Sequence, residues 1–129
     1  MKRIKLHIKR YDWYLVVCYD VKCSDTDRVM YDLYRIGISS EDAYLSVRNI
    51  GECKFNRGIT YSNYATKESV MVISVTNSAG ESVNTWVHEI IHLATQHIAV
   101  ALGITDNEEL AYLGGEIARD IYYEIYGRF

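Results

Sequence analysis

Between Arg3 and Lys9 the chain alternates without a break, with Ile4, Leu6 and Ile8 on one side and Arg3, Lys5, His7 and Lys9 on the other. Successive side chains of an extended strand point to opposite faces, so this period predicts a strand with one buried and one solvated face. The run YLVVCY (14–19) is continuously apolar and rich in β-formers, which predicts a second, more deeply buried strand antiparallel to the first. The basic side chains of the first strand read as a solvated face that discourages edge-to-edge pairing, in preference to a phosphate-binding strip, and His7 reads as a surface residue.

The period then changes. From Ser24 the stretch SDTDRVMYDLYRIG carries a capping serine, early acids and apolar Val29, Met30, Leu33 and Tyr34, predicting an amphipathic helix that ends near Gly37. Ser39 or Ser40 with Glu41 and Asp42 predicts a short helix to about Val47. The β-formers between Cys53 and Tyr64, with Gly58 among them, are followed by SVMVISVT (69–76), a strong predicted strand. After a polar loop, a long helix is predicted from Asn84 or Thr85 to Leu102 with Gly103 as its left-handed cap. A last helix runs from Glu108 to about Tyr126. Strands and short helices come first and two longer helices last. That order predicts one α+β domain over residues 1–129, a small mixed or antiparallel sheet packed on two C-terminal helices.

Composition narrows the function. At 129 residues and 49% hydrophobic the chain has enough apolar surface for a core of its own. Fourteen basic against 17 acidic residues, a formal charge of −3, argue against a nucleic-acid partner held by a general positive field. Cys18, Cys23 and Cys53 form no CxxC pair, so neither a disulfide framework nor a thiolate metal site is expected, and a reducing, cytoplasmic setting is the simplest expectation. No segment has the length and apolarity of a signal h-region or a bilayer span, so no membrane partner is expected.

One stretch asks for chemistry. In NTWVHEIIH (84–92) two histidines and a glutamate interrupt a run otherwise fit for burial. On a helix His88 and His92 are one turn and about 40° apart, so both imidazoles reach one ion from the same side, while Glu89 lies about 100° from His88, beside the pair. That is the HExxH arrangement: two nitrogen ligands for Zn²⁺ and a carboxylate, Glu89, placed as general base to take a proton from water. Ideal helical geometry puts His97 about 180° from His88, which predicts a satisfied histidine on another face.

A catalytic zinc needs a third protein ligand and an open position. The last helix opens with Glu108 and Glu109. Glu108 shares a side with Ala111, Tyr112, Gly115 and Arg119, and Glu109 with Glu116 and Asp120. Ala111 and Gly115 are residues a helix uses to press close to a neighbour, so Glu108 is expected to face the motif helix and complete the site. Glu109 is the alternative, expected to face water and serve the helix dipole. Tyr61, Tyr64 or Tyr112 would supply a phenol to an oxyanion, and Arg119 an intrahelical partner for Glu116 or Tyr123.

HEIIH followed by a short loop and ExxAY (Glu108, Ala111, Tyr112) resembles the gluzincin pattern, in which a glutamate on a following helix completes the metal site. More narrowly, residues 57–126 resemble small HExxH proteins of phages and prophages of gut Bacteroidales-type bacteria, described as zinc peptidases. The resemblance implies a minimal zincin-like fold, a zinc-dependent cleavage of peptide bonds, and a peptide or protein substrate laid along the strand that precedes the motif helix. SVMVISVT, with Val72 and Ser74, or the ITYSNY segment beside it, with Tyr61, would be that strand. Tyr112 stands where many gluzincins place an acid, so Asp106 or a backbone carbonyl would orient a zinc histidine instead. Two other readings stand beside this one. The first is a non-catalytic phage structural or accessory protein with a structural or vestigial zinc, partnered by another phage protein or by its own copies; the second is a helical interaction module without metal.

Overall fold

A computed structural model of the chain describes residues 1–39, Glu41, Tyr44, Leu45, Arg48 and residues 58–128. The helix expected up to Val47 and the β-prone residues 53–57 lie largely outside the described residues.

Strand β1 (Lys2–Ile8) turns through one 3₁₀ turn and a left-handed Asp12 (φ 50°) into β2 (Trp13–Val21), antiparallel to it, with Ile4 opposite Val17 and Leu6 opposite Leu15. Strand β2 sends Leu15 and Val17 to one face and Val16 and Cys18 to the other, all buried. That is why its stretch from Leu15 to Cys18 is apolar throughout where β1 alternates. Strand β3 (Gly58–Asn63) forms an antiparallel hairpin with β4 (Glu68–Ser74), and β4 then lies parallel to β2, Val16 opposite Val70. The sheet order is therefore β1-β2-β4-β3, with β4 interior and β3 paired on one side only among the described residues.

Each face of this mixed sheet is covered by helix. Helix α1 (Thr26–Arg35) sets Val29 and Leu33 on Val16, Cys18, Val70 and Val72. On the other face lie α2 (Ala79–His92), a π-helical turn (Leu93–Ile98), α3 (Ala99–Leu102), ended by left-handed Gly103, and α4 (Asn107–Tyr126). Ile90, Leu93, Ile98, Leu113, Ile117 and Ile121 bury against Trp13, Leu15, Val17, Met71 and Ile73. The α+β class and the mixed sheet against C-terminal helices are as expected.

Helix α2 begins five residues before the expected Asn84. Ser78 Oγ accepts from the Glu81 amide at 3.2 Å, an N-cap inside what reads as a polar loop. Its first turn is exposed, so no apolar period announces it. Cys18 is a free buried thiol that burial, and then Asp32 beside it, push up to about 12. Cys23 is disulfide-bonded, against expectation, so the cysteine count carries no argument for a reducing compartment. No helix among the described residues is long and apolar enough to cross a membrane.

Candidate metal centre

The HEIIH helix brings its two histidines together at one point. His88 Nε2 and His92 Nε2 are 3.0 Å apart, with ring planes at 74°. A tetrahedral zinc with Zn–N bonds of about 2.05 Å holds its ligand nitrogens about 3.3 Å apart, so the pair stands within a few tenths of an ångström of a chelating bite. On the far side of its ring, His92 Nδ1 lies 2.7 Å from Gln96 Oε1. An amide oxygen only accepts, so Nδ1 carries the proton and Nε2 presents its lone pair. Gln96 is an orienting residue that the sequence reading missed; its only signal was a spacing of one further turn beyond His92.

Glu89 is buried beside the pair, with only 3% of its surface exposed. Thr60 Oγ1 donates to Glu89 Oε2 at 3.3 Å. At the start of β3, Gly58 leaves room that no other residue would, since a Cβ there would stand 2.8 Å from Glu89 Cγ and 3.0 Å from the Val72 carbonyl oxygen. Burial raises the Glu89 carboxyl above the usual carboxylate range, while His92, His88 and the Thr60 hydroxyl pull it back. A carboxylate so placed is suited to take a proton.

Strand β3 serves the site through alternate residues. Gly58, Thr60 and Ser62 share the face toward α2, while Ile59 and Tyr61 pack into the core on the other side. Ser62 Oγ meets His97 Nδ1 at 2.7 Å and Ser69 Oγ at 2.6 Å, and Trp13 Nε1 donates to Ser69 Oγ at 2.8 Å. Indole nitrogen only donates, so Ser69 Oγ accepts there; the arrangement that also uses the Ser69 proton sends it to Ser62 and the Ser62 proton to His97 Nδ1, with the His97 proton on Nε2. His97 is satisfied, as expected, although not by ideal α geometry. The π turn from Leu93 to Ile98 takes one residue more than an α turn, so His97 comes round toward the side of His92 and reaches β3.

Burial, and then the charge of His92, lower the His97 pKa below its ordinary 6.5. The unfolded chain therefore binds a proton more readily than the folded one between that value and the lower native one. The stabilising share is complete above about 6.5 and is lost as pH falls through the native value. With chelator present, the melting temperature of the wild type should drop on acidification through this window by more than that of His97→Gln; parallel curves would refute the assignment.

The other expected site residues are more scattered. Among the described residues, no three His, Cys, Asp or Glu side chains gather as a metal-binding set, and Glu108 is not brought to the histidines. Glu108 is exposed at the start of α4, its amide capped by Asp106 Oδ1 at 2.9 Å, so Asp106 serves the helix end and orients neither histidine. Glu109, expected to face water, is half-buried and accepts from Tyr11 Oη at 2.6 Å. The buried stripe of α4 is Leu113, Ile117 and Ile121, and Glu109 lies one turn before it. Ala111 and Gly115 line an open groove with Ile91 and Thr95, and a Cβ on Gly115 would touch nothing within 4 Å, so they mark no tight contact.

Val72 and Ser74 belong to interior β4 and are buried, so of the two expected substrate strands only the ITYSNY segment, β3, is an edge among the described residues. Tyr61 faces the core opposite the site, Tyr112 is exposed on α4, and Tyr64 donates to the Gln96 carbonyl at 3.3 Å. Arg119 pairs with neighbouring Asp120 at 3.0 Å rather than with Glu116 or Tyr123. No protein-family model, curated protein or solved structure matches the chain.

Proposed function

We propose that the chain is a zinc-dependent, zincin-like peptidase of phage or prophage origin in which His88 and His92 hold the metal and Glu89 is the general base. The observation that carries this reading is the pair of Nε2 atoms 3.0 Å apart, one of them set by Gln96, beside a buried carboxylate. Glu108 is the proposed third ligand although it does not gather with the histidines here, so the first turn of α4 would have to move toward them for it to bind. Of the two acids that open α4, Glu109 is engaged by Tyr11, while Glu108 has no side-chain partner among the described residues. The first turn of α4 stands beside the motif helix, since Asn107 and Leu110 line one groove with Ile91 and Thr95. When bound, zinc would supply a Lewis acid for the scissile carbonyl.

The chain's own residues do the rest. Glu89 receives the proton of the attacking water and returns it to the leaving amine. Thr60 holds the carboxylate in place, and Gly58 lets the strand approach it. The edge of β3 that pairs with no strand among the described residues would offer backbone groups to an extended peptide, which gives affinity with little side-chain selectivity.

Metal analysis tests the reading. Wild type should carry about one zinc per chain, lost in His88→Ala and in His92→Ala. Gln96→Ala should weaken zinc by about 10- to 100-fold, and Glu108→Ala should release it more readily than Glu109→Ala does. A metal-free wild type sinks the proposal. A second reading is a non-catalytic accessory protein with a structural or vestigial zinc. That reading expects bound zinc, loss of folding on chelation and no hydrolysis of any peptide.

A further inference from the structure

On the sheet face opposite the histidines, β1 turns Arg3 and Lys5 toward α1, which presents Arg28, Tyr31 and Arg35 along its length. With two aspartates they line a cleft of about 560 Å³, within the range of small-molecule sites. Four cationic side chains here face two carboxylates, on a chain whose formal charge is −3. The floor is rigid. Asp32, its side chain 2% exposed, accepts from Arg3 Nε at 2.9 Å and from Arg3 Nη2 at 2.6 Å, and takes the Cys18 thiol as well. That fork holds Arg3 flat against the wall and neutralises it.

The other three cations are not so engaged. Lys5 has no ion-pair partner among the described residues. Arg28 and Arg35 make only long contacts, 3.9 Å to Asp25 and 3.8 Å to Asp32, and stay 67% and 43% exposed. The Tyr31 ring stands exposed among them. We propose that this cleft binds a small phosphate-bearing molecule with a flat ring, a nucleoside phosphate by chemical class. Its phosphate would lie between Lys5, Arg28 and Arg35 and its ring against Tyr31. Two arginine forks and an ammonium offer more donors than one carboxylate ligand uses, which is the demand of a phosphate. The cations form a local excess in a small cleft of a net acidic chain, which fits a small anion and not a polymer. The proposal is independent of the metal site.

Calorimetric titration with ADP and with pyrophosphate, at about 0.15 M salt and with EDTA to keep metal from the phosphates, tests it. Both should bind saturably, ADP more tightly. Lys5→Glu and Arg28→Glu, at exposed positions where folding is not at stake, should each weaken both ligands by about tenfold or more. Tyr31→Ala should bring ADP down to the affinity of pyrophosphate. No saturable binding of either ligand, equal affinity of the two for wild type, or charge-reversed variants that bind like wild type would overturn the assignment.

Discussion

Glu89→Gln is expected to lower peptide hydrolysis by about 10²- to 10⁴-fold, the usual contribution of a positioned general base, while zinc content and melting temperature stay near those of the wild type. The amide matches the carboxylate in shape, so the space that Gly58 leaves is filled as before. Its oxygen still accepts from Thr60 Oγ1, now at a neutral group. Burial already works against the charged form of Glu89, so a neutral side chain at this 3% exposed position carries no new desolvation cost. What is lost is the capacity to take a proton. Turnover of a quenched fluorescent peptide, measured beside zinc content and a thermal melt, separates the cases. Wild-type turnover in the variant would remove Glu89 from the chemistry; loss of fold would show that its charge is structural.

The fold was legible wherever burial imposes a local period. Ile4, Leu6 and Ile8 alternate because one face of β1 meets the core, and YLVVCY does not alternate because β2 is covered on both faces. Gly103 ends its helix in the left-handed conformation that its position suggested. The parallel pairing of β2 with β4 has no local mark, since register between strands so distant in sequence is set by packing.

The site divides along the same line. His88, Glu89 and His92 follow from α-helical spacing, because α2 is regular through His92. The π turn that starts at Leu93 carries no signature in LATQHI, yet it decides where His97 goes. The small residues Ala111 and Gly115 suggest a contact face on α4, but the helix is oriented by the larger gain from burying Leu113, Ile117 and Ile121. A wheel centred on those three would have turned Glu109 inward and left Glu108 outside. The alternation of Gly58, Thr60 and Ser62 with Ile59 and Tyr61 was also present in the sequence, but its meaning depends on the Glu89 and His97 side chains across from it.

Trp13→Ala should be the most destabilising single change in the sheet, by about 3–5 kcal/mol, because this fully buried indole fills the centre of the core between β2 and the C-terminal helices. Trp13→Phe isolates a second role. It keeps an aromatic ring in the cavity but removes the Nε1 donor to Ser69 Oγ. The cost of that lost buried bond is about 1–3 kcal/mol. Ser69 Oγ then lacks the indole as donor and draws the Ser62 proton toward itself, which lets the imidazole donate from Nδ1 to Ser62 in its place. Nitrogen-15 shifts of the His97 ring should report one tautomer in the wild type and a mixture in Trp13→Phe, with the fold intact. In a double-mutant cycle with Ser69→Ala, the two changes should couple by about 0.5–3 kcal/mol, as neighbours in one hydrogen-bond network do. Strict additivity, with an unchanged His97 tautomer, would mean that the indole acts by volume alone and that this chain of hydroxyls does not link it to His97.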